Sequence, residues 1–296
     1  MSIYDQAADK AKEQLDAISP TMCYAKWTQV SMHMHNGMTH SCYHPPTHKI
    51  DLEEIKTNPS AIHNTKHKKE MRKMMLNGIR PNECEYCWKI EDIGKDHISD
   101  RVMKTITFSD EDNLAAAEMN GDEDVTLKTL EISFDRTCNF ACSYCNPSFS
   151  STWVKDIKKF GGYKNITSDG RGHFVTEADH AKDATKKQED NPYIQAFWKW
   201  WETDLQHSLQ EIRITGGEPL MAAGVWKLFD WFKENPDKAE TNCPRCEVGA
   251  GEGTHFMIIP LNGSAPLSRF VYVIIAWVGS CSVPFLAKLI PQACLA

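Results

Sequence analysis

Apolar residues recur with a helical period over residues 3–18, where Tyr4, Ala7, Ala11, Leu15 and Ile18 fall on one face, and Ser19-Pro20 closes the segment. Asp51 is placed to cap a short helix through Ile55, and Ser60 a longer one through Leu76. Leu127, Leu130, Ile132 and Phe134 form a short apolar run that reads as a strand. A helix is expected next, with Trp153, Val154, Ile157 and Phe160 inward. Residues 161–192 are rich in Gly, Asp and Lys and read as a solvated insertion, Arg171 and His173 included. Ile194, Phe197, Trp198, Trp201, Leu205 and Leu209 make a helical stripe that reads as core. Glu211–Thr215 is a second strand, ending in Gly216-Gly217-Glu218-Pro219 and followed by a helix with Val225, Leu228, Phe229 and Phe232 inward. The order strand, helix, strand, helix predicts an α/β fold with parallel strands.

Composition changes this picture at one place. The chain has 296 residues and a net charge of −7, with 33 Lys+Arg and 40 Asp+Glu. Beyond residue 240 the only charged residues are Arg245, Glu247, Glu252, Arg269 and Lys288. His255–Leu261 and Phe270–Val278 are candidate further strands of that tail. Phe270–Ala287 is also just long enough for a membrane helix, which Ser280, Ser282 and Pro284 weaken. An out-of-frame tail is the third reading of residues 241–296. Residues 105–127 hold seven acids and read as a solvated linker. A net acidic chain is not a general nucleic-acid binder. The polar N-terminus is neither a secretory signal nor a transit peptide, so a reducing, cytoplasmic setting is expected. The 11 cysteines then read as metal ligands or reactive thiols before disulfides.

Cys138-Asn-Phe-Ala-Cys142-Ser-Tyr-Cys145 follows the first strand. Three thiolates at this spacing can wrap one face of an iron–sulfur cube and leave the fourth iron open. A structural zinc would want four closed ligands. The segment resembles the CxxxCxxC motif of the radical SAM superfamily. That resemblance implies a [4Fe–4S] cluster on Cys138, Cys142 and Cys145 with S-adenosylmethionine on its open iron. It places Tyr144 near the adenine, and Gly216, Gly217, Glu218 and Pro219, the family's GGEP, at the methionyl ammonium. Glycines admit close backbone approach, and a carboxylate pairs with an ammonium.

Cys23, Gly37, Cys42, Cys84 and Cys87 form a C-x13-G-x4-C…C-x2-C pattern. It resembles the SPASM auxiliary-cluster module in its shortened twitch form, with Gly37 at a hairpin tip and Arg72, Met75 and Gly78 where the helix runs into the C-x2-C. In better-known members the module follows the barrel; here it precedes it. The resemblance implies a second iron–sulfur cluster on Cys23, Cys42, Cys84 and Cys87. Zinc is the rival occupant, since two distant cysteines plus a C-x2-C also make a zinc set. His33, His35, His40, His44 and His48 lie nearby and are expected on the hairpin surface rather than as ligands. Cys243-Pro-Arg-Cys246 has no partner pair and is assigned no metal.

The expected organisation is an N-terminal helix (1–20), a small Cys-rich α+β twitch-like module (21–104), an acidic linker (105–126), part of a (β/α)6-type radical SAM barrel (127–240) and the apolar tail (241–296). The implied activity is reductive cleavage of S-adenosylmethionine to a 5′-deoxyadenosyl radical that abstracts hydrogen from a peptide, protein or small molecule. An electron donor such as a flavodoxin or ferredoxin is implied; nucleic acid and membrane partners are not expected. A non-catalytic iron–sulfur or zinc protein and a truncated, inactive enzyme are the alternatives.

Overall fold

The computed structural model describes residues 3–94, 97–108, 121–143, 145–147, 149–164, 190–209, 211–235 and 257–260. It is a mixed α/β protein that divides into two units. The first comprises Met1–Met32, Gly37–Lys128 and Ala196–Ser208; the second comprises His33–Asn36, Thr129–Gln195 and the chain from Leu209 onward. No helix among the described residues is long and apolar enough to cross a membrane.

The first unit opens with α1 (Ile3–Ile18). Ala11 and Leu15 are buried as expected and Ile18 packs partly buried on the same core, while Ala8 is buried more fully than the expected Ala7. The hydroxyls of Ser19 and Thr21 both donate to Met75 O, at 2.6 and 2.7 Å, and pin the turn after α1. A short α2 (Tyr24–Thr28) leads into β1 (Gln29–His33), and Gly37, at φ 64°, turns the chain into β2 (Met38–His40). That left-handed backbone is what the sequence assigned to a glycine at a hairpin tip. β2 pairs antiparallel with β3 (His48–Lys49).

Asp51 caps α3 (Leu52–Thr57), accepting from Glu53 N. The longer helix expected from Ser60 is split. Asn58 caps a 3-10 turn over Pro59–Ile62, and Thr65 caps α4 (Lys66–Leu76). The reason is local: each of these side chains offers the freed N–H groups a closer acceptor than a continuous helix would. Gly78 (φ 71°) ends α4. A turn at Asn82–Cys84 starts α5 (Glu85–Ile93), and α6 (Asp100–Phe108) follows. Two acids of the expected solvated linker are paired instead: Asp122 with Lys73 and Asp124 with Lys69, both at 2.6 Å.

His35 and His40 are buried and His33 nearly so, against the expectation of surface histidines. Deeper still are His63, Lys68 and Arg72. His63 Nε2 lies 2.8 Å from Trp27 O and its Nδ1 lies 2.6 Å from Lys68 Nζ, which suits a neutral ring. Burial, with Lys68 and Arg72 adding to it, holds His63 well below the usual histidine value. Burial likewise lowers His48 to about 3. Both groups bind protons more weakly folded than unfolded, so the stability they contribute is complete above the unfolded-state value of ~6.5 and is lost as pH falls below it. The melting temperature is therefore expected to decline steadily below pH ~6.5. Circular dichroism melts across that range check this, and a flat profile down to pH ~5 overturns it.

In the second unit β4 (Thr129–Ser133) pairs parallel with β5 (Glu211–Thr215), in register from Thr129↔Glu211 to Ser133↔Thr215. Both strands fall where the apolar runs place them. Helix α7 (Ser151–Phe160) follows β4, with Trp153 and Ile157 buried but Phe160 exposed, since it lies in the last turn before Gly161. Helix α8 (Pro192–Trp200) starts in this unit and from Ala196 onward belongs to the first unit, where it continues through a π-helical turn at Trp201–Leu205 to Ser208. Its stripe is core, with Phe197, Trp201 and Leu205 fully buried. Helix α9 (Ala223–Glu234) follows β5. Phe134 ring atoms would lie 2.4 Å from a Cβ at Gly224, so only glycine lets α9 approach β4 here. β6 (Met257–Pro260) pairs antiparallel with β5. The expected strand at 255–261 is thus present in part, but in a direction that a βαβ repeat would not produce. Residues 165–189, 236–256 and 261–296, with Arg171, His173, Cys243, Cys246 and Phe270–Ala287, lie outside the described residues, as does Tyr144.

Two candidate cysteine centres

The first centre belongs to the second unit and is built on the ends of two parallel strands. Beyond Ser133 the chain leaves β4 and runs through Asp135–Thr137 to Cys138. The start of α7 grips the loop that follows. Ser151 Oγ accepts from Cys138 N at 3.0 Å, and Thr152 Oγ1 donates to Cys138 O at 2.7 Å. Ser150 Oγ donates to Phe140 O at 2.8 Å, and Trp153 Nε1 donates to Cys142 O at 3.0 Å. Backbone Cys145 N donates to Cys142 O. Cys138 is buried while Cys142 and Cys145 are partly open. Burial pushes the Cys145 thiol up, against its hydrogen bond to the Asn146 backbone, and the nearby Cys138 and Cys142 raise it further.

The turn after β5 lies against this loop. Glu218 N donates to Thr137 O at 2.8 Å. The Glu218 carboxylate accepts from Leu220 N and caps the turn Pro219–Met221. Gly216 holds φ 131°, where side chains are strained. A Cβ on Gly217 would sit 2.4 Å from Thr137 O and 2.6 Å from Arg136 O. Two backbones therefore touch just before Cys138. Gly217→Ala is expected to cost about 1–3 kcal/mol through overpacking. Thermal unfolding of the variant checks this; an unchanged melting temperature would show that the close approach is dispensable.

The second centre belongs to the first unit. Cys23, Cys42, Cys84 and Cys87 line one cavity, although they come from the start of α2, the segment after β2, the turn before α5 and α5 itself. Met75 from α4 and Trp88 from α5 complete its apolar wall. Burial pushes the Cys84 and Cys87 thiols up to about 12 and raises Cys42 as well. Among the described residues, no three His, Cys, Asp or Glu side chains are placed to hold a single metal ion. The cavity also carries cations that the sequence pattern passed over: Lys26, Arg101 and Lys104. No spacing in the sequence ties Arg101 and Lys104, on α6, to the cysteines, and only the folded cavity groups them with Lys26.

Comparison with known proteins finds no matching family model, no matching curated protein and no matching solved structure.

Proposed function

We propose that the chain is a radical SAM enzyme with an auxiliary iron–sulfur site in its first unit. One observation carries the reading: the CxxxCxxC loop leaves one parallel strand and packs, backbone against backbone, on the GGEP turn that ends the next. Ligand sites of parallel sheets form at such carboxyl ends. The fit to the implied groups rests on donor chemistry. Three thiols gather in a partly open loop, which suits a cluster with one iron left free. When bound, the [4Fe–4S] cluster and S-adenosylmethionine would supply the 5′-deoxyadenosyl radical for hydrogen abstraction. Cys138, Cys142 and Cys145 would hold the cluster. The Gly216 and Gly217 backbone and the Glu218 carboxylate would receive the methionyl ammonium, a charge-assisted contact. Ser150, Ser151, Thr152 and Trp153 would hold the loop in shape by their bonds to its backbone.

The four cysteines of the first unit would hold the second cluster in a twitch-like module. Four thiols line one cavity, a soft-donor set that suits an iron–sulfur cluster, with zinc as the rival occupant. The substrate would be a peptide, protein or small molecule, and the electron donor a flavodoxin or ferredoxin.

Anaerobic reconstitution with iron and sulfide, followed by S-adenosylmethionine and dithionite, tests the reading. Reductant-dependent 5′-deoxyadenosine is the expected product. Protein that holds the Cys138 cluster and still yields none refutes catalysis.

A further inference from the structure

We propose that Lys26, Arg101 and Lys104 form a cationic clamp on the four-cysteine cavity that stabilises the reduced, more negative state of the cluster held there. The inference rests on reading Cys23, Cys42, Cys84 and Cys87 as an iron–sulfur site and goes beyond it by assigning the neighbouring charges a task. All three cations line the cavity. Each is tied to a carboxylate: Lys26 to Glu83, Arg101 to Glu91 through Nε at 2.6 Å and Nη2 at 2.9 Å, and Lys104 to Asp100 at 2.6 Å. Arg101 also donates to Met22 O at 2.6 Å. These bonds fix where the positive charges sit.

The carboxylates are arranged unequally. Glu83 and Glu91 are absent from the cavity lining, whereas Asp100 belongs to it and also meets His44 at 2.9 Å. The wall thus presents three cations and one carboxylate to the thiols. Lys26 and Arg101 are almost fully buried, so water screens them little; Lys104 is more open.

A four-thiolate cluster is already anionic, and reduction adds one further electron without making or breaking a bond to the chain. Fixed cations at the wall favour the added charge. Structural ion pairs alone would hold the fold and leave the reduction equilibrium unchanged, which separates the two roles.

The test uses the full chain with Cys138, Cys142 and Cys145 replaced by alanine, so that remaining iron reports on the second centre. Iron and sulfide are assayed, and the cluster is titrated with dithionite under electron paramagnetic resonance. Lys26→Gln and Lys104→Gln are each expected to lower the equilibrium constant for reduction about tenfold, about 59 mV for one electron. Lys26→Arg and Lys104→Arg keep the charge and are expected to keep the potential. Lys66→Gln, at an exposed lysine outside the cavity, serves as the control and should leave the potential unchanged. If Lys26→Gln fails to hold iron, Lys104→Gln, at the more open position, decides. An unchanged potential in Lys104→Gln with iron retained overturns the clamp. A centre with all four cysteines that holds zinc, or no iron, overturns the reading beneath it.

Discussion

Under the proposed function, full-length protein carrying Cys138→Ala, Cys142→Ala and Cys145→Ala is expected to lose the iron of the first centre and to form no 5′-deoxyadenosine above background, a fall of at least ~10³-fold. The magnitude follows from the division of labour: a cluster held there would supply the electron, and no side chain in the loop would replace it. The fold should survive. Phe140 N loses its 3.3 Å bond to Cys138 Sγ, but the contacts from Ser150, Ser151, Thr152 and Trp153 to backbone atoms of Cys138, Phe140 and Cys142 need no sulfur. Iron content, product formation and the melting temperature, measured on one preparation, check all three parts. Cofactor cleavage by the triple variant at the unsubstituted rate removes these cysteines from the reaction.

On the same proposal, Cys84→Ala with Cys87→Ala is expected to remove the iron of the second centre and also to lower the melting temperature, on the order of 5 °C or more. A cluster there would couple to the fold. Cys23 and Cys84 pack in the same core cluster as Leu15, Trp27, Met75 and Trp88. Ligands that bind only the folded chain stabilise it by the free energy of binding. Assembly must also strip protons from buried thiols: Cys84 and Cys87 sit at about 12 because burial disfavours their thiolates. Iron incorporation should therefore release protons and run faster as pH rises. Reconstitution followed at several pH values, with calorimetry of the variant, gives the test. Full iron content in the double variant would exclude these cysteines as ligands.

The helical and strand periods were strong enough to place α1, β4, β5 and the Phe197–Leu205 stripe. Apolar spacing reports which face is buried, and these elements bury one face deeply. Local capping was harder to read. Asn58 and Thr65 compete with Ser60 for the same N–H groups, and only the folded geometry decides among them. The grouping of Cys23, Cys42, Cys84 and Cys87 was legible as a spacing. The cations around them were not, because a lysine in a sequence is a surface residue until the fold buries it. The grip of Ser150–Trp153 on the cysteine loop was hidden for a similar reason, since side chain to backbone bonds leave no periodic trace.

Residues Ala196–Ser208 complete the first unit, with Trp200 stacked on His63 at 6.0 Å, although that unit otherwise ends at Lys128. During synthesis the four-cysteine unit cannot close until the ribosome has passed residue 208, by which time the whole three-cysteine segment has emerged. The two sites are separate in sequence but not in assembly. Gene fragments that divide the chain between them would sever the first unit from its own last helix.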